Sequence, residues 1–217
     1  MRECKNFAEL EQVLSDYGIT VTNKVRQLHF GAVSKAISGI ITAVDMFPQL
    51  RGQIRIIDTW HNNNWLMSTS WDGTVYISYN RFNRIFPIKE KQLNSCTNGR
   101  WYHPVNMSYD GLGSHEAGHL LVKAYIDKHY PSKSDDFKSH LWSNSSAAKG
   151  ILNEIAKKNN VKLYNLQKKV CVYACENASE CIAECICDFF TNGYKAAELS
   201  QLVVKFFRKD GTGTDED

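Results

Sequence analysis

The chain lacks any apolar run that approaches the roughly eighteen consecutive residues a membrane-spanning helix needs, so no membrane span is expected. Its first residues, MRECKNFAEL, lack the apolar stretch of a secretory signal. Without export, the seven cysteines, an odd number, read as reduced thiols of a cytoplasmic protein. A dominant charge is also missing. Lys+Arg 26 against Asp+Glu 23 leaves +3, which gives no electrostatic ground for a nucleic-acid partner. There is no internal repeat and no linker long enough to split the chain. What is present is 43% apolar residues over 217 positions, enough for a real core and too many for disorder. One domain is expected over residues 1–209, with an N-terminal helical part (about 1–48) and an insertion (about 131–165). The acidic tail 210–217 is expected to be flexible.

Periodicity locates the elements. Phe7, Leu10, Val13, Leu14 and Tyr17 recur at helical spacing before Gly18, and Asn6 with Glu9 fits a capping pattern. A longer apolar-periodic run from Val25 to Phe47 ends at Pro48. Residues 53–80 change period. An Ile-rich run, a turn at Asn62–Asn64, an extended run to Trp71, the Asp72-Gly73 turn and the alternation Val75, Ile77, Tyr79 predict a three-stranded antiparallel meander. Residues 81–110 read as irregular and 131–145 as loop. Helices are expected over 114–129, 147–156, 177–190 and from Ala196 to Phe207. The fold class is therefore α+β.

The segment His115-Glu116-Ala117-Gly118-His119 carries chemistry. Two histidines at i and i+4 share one helix face, one turn apart, so their imidazoles can bind one Zn²⁺. Glu116 lies about 100° round the helix and can face water on that metal. A glycine inside a helix costs about 1 kcal/mol against alanine, and the close approach of another backbone would account for Gly118.

A hydrolytic zinc needs a third protein ligand and an open position. Glu180 and Glu184 stand at i and i+4 on a helix that also carries Ile182, Ala183, Ile186, Phe189 and Phe190. Inward-facing carboxylates on so apolar a helix are costly unless a cation compensates them. Glu180 also completes a capping pattern with Asn177, which needs no metal, and spacing alone leaves both readings open.

The pairing of His-Glu-x-Gly-His with Tyr-x₆-Glu-x₂-Ala-Glu resembles a zincin family: the anthrax lethal factor catalytic domain, the clostridial Pro-Pro endopeptidases and zincin-like domains of phages. Tyr173, Asn177, Glu180, Ala183 and Glu184 match the family positions. Cys181 and Ile182 stand where the family has aromatic residues, and the stretch between the two motifs is longer. The resemblance implies a small, mainly antiparallel sheet packed on the HExxH helix, and a bacterial or phage origin. It also implies that Glu180 is the third zinc ligand, that Glu184 supports a ligand histidine, and that Tyr173 stabilises the transition state.

The expected activity is a zinc-dependent endopeptidase with one Zn²⁺ per chain, a peptide or protein substrate and Glu116 as general base. Residues 74–80 are the expected sheet edge on which substrate would lie. A catalytically silent module, zinc-stabilised and binding or virion-associated, is the alternative, although a purely structural site needs no base. Five cysteines fall between Cys171 and Cys187. Their spacing is not Cys-x₂-Cys and suits small core residues as well as a second metal. His103 sits in the irregular segment with no partner pattern and receives no role.

Overall fold

A computed structural model describes residues 4–61, 64–85, 87–97 and 100–212. In chain order the elements are α1 (Phe7–Ser15), β1 (Thr20–Val21), α2 (Phe30–Met46), β2 (Ile56–Trp60), β3 (Met67–Thr69), β4 (Thr74–Ser78), β5 (Cys96–Thr97), β6 (Arg100–Trp101), α3 (Tyr109–His129), α4 (Asp135–Ser143), α5 (Ser146–Lys158), α6 (Leu163–Val170), α7 (Ala178–Asn192) and α8 (Glu198–Thr212). The protein is α+β, with the sheet at one side of a helical body. Asn6 caps α1 by accepting the Glu9 N–H, as the spacing suggests.

The sheet differs from the expected meander. Its order is β1-β2-β4-β3. The Asp72-Gly73 turn does join an antiparallel pair, β3 with β4, and Gly73 takes the left-handed φ of 87° that this turn requires. β2, however, pairs with the other side of β4, in parallel, from Ile56↔Thr74 to Trp60↔Ser78, and β1 pairs with β2 in parallel. The sheet is therefore mixed, with two of its three pairings parallel. The physical reason is burial. Val75 and Ile77 are fully buried on one face of β4, and Thr74 and Ser78 are buried on the other, so β4 takes the covered central position. β3 is short and polar and is left outside it. The edge strands are thus β1 and β3, not residues 74–80. The expected turn at Asn62–Asn64 lies partly outside the described residues.

Four helix assignments also change. The long run expected from Val25 is split into a 3-10 turn at Asn23–Gln27 and α2, which starts at Phe30. α3 begins at Tyr109, because Gly111 and Gly113 lie inside the helix rather than in a loop before it. A side chain at Gly113 would stand 1.7 Å from the Ala36 carbonyl oxygen, so this glycine lets α2 cross α3 in backbone contact. Residues 131–145 are not loop: Ser134 caps α4, and the Trp142 indole N–H donates to the His119 carbonyl at 3.0 Å, fixing α4 on α3. Helix α6, which buries Leu166 and Val170, starts at the end of the expected insertion and runs past it, where no element was expected. The tail is ordered at its start, where α8 runs to Thr212 and Asp210 accepts from Lys128 at 3.0 Å and lies 2.9 Å from His129 Nε2. The rest of it, 213–217, lies outside the described residues.

The core runs from Leu10 and Leu14 through Ile37, Ile40 and Ile41 of α2 to Leu120 and Leu121 of α3, Ile182 and Ile186 of α7, and Phe207 of α8. Helix α3 lies at its centre, between α2 and α7. Cys181, Cys185 and Cys187 are buried α7 residues. No helix among the described residues is long and apolar enough to cross a membrane.

Candidate metal centre

The approach of α7 to α3 creates the centre. Gly118 packs directly on Ala183, and a methyl group added at Gly118 would lie 2.7 Å from the Ala183 Cα. The glycine of the histidine motif and the alanine between the two glutamates are therefore the point at which the helices touch. That contact brings the carboxylates of α7 within reach of the imidazoles of α3.

Three atoms converge above it. His115 Nε2 and His119 Nε2 are 3.2 Å apart, and Glu180 Oε2 lies 3.2 Å from the first and 3.5 Å from the second. Tetrahedral zinc with ligands at about 2.0–2.1 Å places its ligand atoms about 3.3–3.4 Å apart. The triangle has that size. Among the described residues this is the one group of three or more His, Cys, Asp or Glu side chains with such convergence. Glu180 Oε2 is buried and accepts no well-aligned hydrogen bond among the described residues, although it faces two imidazole nitrogens. A buried carboxylate oxygen left in this state is costly, and a shared cation removes the cost. On geometry and donor chemistry the residues fit zinc.

Each histidine is backed from behind. His119 Nδ1 lies 2.9 Å from Ser179 Oγ, and His115 Nδ1 lies 3.1 Å from Glu184 Oε1, close but too poorly aligned for a hydrogen bond. Both contacts leave Nε2 as the metal-facing nitrogen. Glu184 is fully buried. Its burial pushes the carboxyl pKa up, but contacts with His103 and His115 outweigh this and hold it at about 2. Burial likewise opposes ionisation of Glu180, and the two imidazoles overcome it, so that its carboxyl sits well below the usual range. Burial also disfavours the charged form of His115, but the two glutamates raise its pKa well above the ordinary imidazole value.

The capping alternative for Glu180 resolves by division of labour. Asn177 caps α7 by accepting the Glu180 backbone N–H at 3.0 Å. The Glu180 side chain turns to the histidines instead.

Glu116 is buried beside the triad, where the Thr69 hydroxyl donates to its Oε2 at 2.6 Å. Thr69 belongs to edge strand β3, so the carboxylate is held from the strand that borders the site. Tyr173 sits on a short 3-10 turn before α7, its ring parallel to that of His115 at 6.2 Å. Burial, reinforced by the charges of Glu180 and Glu184, raises its phenol pKa, so the hydroxyl remains a proton donor at neutral pH.

Two adjoining cavities meet here. One, about 250 Å³, is lined by Thr69, Ser145, Asn177, Ser179 and Glu180. The other, about 390 Å³, is lined by Leu66, Ile88, Tyr102, Met107 and Leu112. Met67, His115, Glu116 and Tyr173 line both, so these groups sit on the divide between them. Sequence reading missed Thr69, Ser179 and His103. Their contacts span 47, 60 and 81 residues, and none belongs to a local pattern that could have announced it. No protein-family model, curated protein or solved structure matches this chain.

Proposed function

We propose that this chain is a zinc-dependent endopeptidase of zincin type, similar in its reactive residues to the lethal factor-like metallopeptidases. The observation that carries the proposal is the triangle of His115 Nε2, His119 Nε2 and Glu180 Oε2, matched in size to a zinc coordination sphere and bordered by a buried glutamate.

Zinc held by these three residues would supply a Lewis acid for the scissile carbonyl and bring the pKa of water near about 7. Glu116 accepts a proton from the attacking water and delivers it to the departing amine nitrogen. Thr69 fixes the direction of that carboxylate by donating to one oxygen, which leaves the other for the proton. The Tyr173 hydroxyl donates to the oxygen that develops negative charge. Substrate backbone adds to the outer edge of β3, which no other strand covers among the described residues. Cavities on both sides of the reactive groups give room for residues before and after the cleaved bond, which favours cleavage within a chain over trimming of its end.

The test is a digest of a peptide library by the zinc-loaded protein, read by mass spectrometry, with Glu116→Gln as control. New internal cleavages by the wild type and none by the variant are expected. A wild type that binds zinc and cleaves nothing would leave the silent, zinc-stabilised module.

A further inference from the structure

We propose that His103 is a positioning residue for the metal centre: held in place by the segment that carries Tyr173, it aims Glu184 at the back of His115. The inference rests on the zinc reading above and extends it to a residue with no role in the sequence pattern.

The geometry is a three-member relay. His103 Nδ1 lies 2.7 Å from Glu184 Oε1, and the same oxygen lies 3.1 Å from His115 Nδ1. A carboxylate only accepts, so the short contact requires an N–H on His103 Nδ1. The other Glu184 oxygen receives, among the described residues, the long contact from the Cys171 thiol, 3.6 Å. Glu184 is fully buried, and the His115 contact is poorly aligned. His103 is therefore the one well-placed donor among these three neighbours, and it decides where the carboxylate points.

His103 is itself held. Its ring meets the edge or face of Tyr102 at 4.8 Å and of Tyr173 at 5.4 Å, both near perpendicular. Its segment is paired to the Tyr173 segment by backbone hydrogen bonds, Val172 N–H to the Trp101 carbonyl at 2.9 Å and Tyr173 N–H to the Tyr102 carbonyl at 3.0 Å. One rigid unit thus fixes both Tyr173, which faces the substrate side of His115, and His103, which reaches behind it. Partners that orient a ligating histidine typically change metal affinity by about 10–100-fold.

Two substitutions separate the donor from the packing. His103→Phe keeps an aromatic ring between Tyr102 and Tyr173 and removes the N–H. His103→Asn removes the ring and places an amide N–H near the position of Nδ1. Zinc affinity is measured by competition with a chromophoric chelator, and the visible spectrum of the cobalt-loaded protein reports the ligand field. His103→Phe should weaken zinc by about 10–100-fold and alter the cobalt spectrum, while His103→Asn stays within about threefold of wild type. His103→Ala replaces His103→Phe in the comparison if the latter fails to fold. Wild-type affinity in the donorless variant, or loss in His103→Asn with retention in the donorless variant, would overturn the relay while leaving the zinc reading intact. A wild type that binds no zinc would remove both.

Discussion

Gly118→Ala perturbs the contact on which the centre depends. The added methyl would lie 2.7 Å from the Ala183 Cα and 3.3 Å from its Cβ. Carbon atoms in contact settle at about 3.5–4.0 Å, so α3 and α7 must part by roughly 1 Å at the crossing. The ligand triangle spans those two helices, and metal–ligand distances tolerate only about 0.2 Å. Glu180 is thereby carried out of bonding range of a metal held by the histidines. Opposing effects leave metal-free stability little changed. Alanine gains about 1 kcal/mol of helix propensity over glycine, and overpacking costs about 1–3 kcal/mol. The expected result is a net loss of about 0–2 kcal/mol without zinc, and zinc binding weakened by more than about 100-fold. At a fixed saturating zinc concentration, a 100-fold weaker affinity removes about 2.7 kcal/mol of zinc-dependent stabilisation. Denaturant melts with and without zinc, together with chelator competition, measure both parts. Gly150→Ala is the control: nothing lies within 4 Å of a side chain there, and it should stabilise by about 0.5–1 kcal/mol without touching zinc affinity. A Gly118→Ala protein with wild-type zinc affinity would refute the reasoning that this contact sets the ligand geometry.

Four further outcomes are expected. Glu116→Gln should retain zinc by metal analysis and lose at least about 10²-fold in peptide turnover. Glu180→Ala should release zinc under mild chelation, whereas Glu184→Ala should hold it about 10–100-fold more weakly, and dialysis against graded chelator distinguishes them. Thr69→Val keeps the side-chain shape and removes the donor to Glu116, so kcat should fall by about tenfold while zinc affinity stays unchanged. Glu184 has a folded pKa of about 2, below its unfolded value of about 4.3. Its stabilising contribution to the metal-free protein is complete above the unfolded value and is lost as pH falls from about 4.3 toward 2. Urea midpoints measured across that interval should decline, and a flat profile would contradict the assignment.

The candidate site residues were legible where chemistry follows local period. His115 and His119 share a helix face because they are four apart, and the same holds for Glu180 and Glu184. Gly118 pointed to a close backbone neighbour, and that neighbour is Ala183. The sheet order was not legible, because strand identity depends on which faces the rest of the chain covers. Val75, Ile77 and Tyr79 alternate as a half-exposed edge would, yet Thr74 and Ser78 on the opposite face are buried as well. Helix α4 was hidden by its polar composition. Its attachment rests on tertiary contacts with no sequence period, among them the Trp142 indole N–H to the His119 carbonyl and the Lys138 ammonium to Asp127. Thr69, Ser179 and His103 escaped for the same reason, since each acts on a partner dozens of residues away.

The claim that α3 and α7 together form a zinc site is tested most directly by anomalous diffraction from a zinc-loaded crystal, measured on both sides of the zinc absorption edge. The account predicts one anomalous peak per chain, placed between His115 Nε2, His119 Nε2 and Glu180 Oε2 at about 2.0–2.2 Å from each. A peak at Glu184 and His103, or among the thiols of Cys171, Cys181 and Cys185, with none at the triangle, would contradict it.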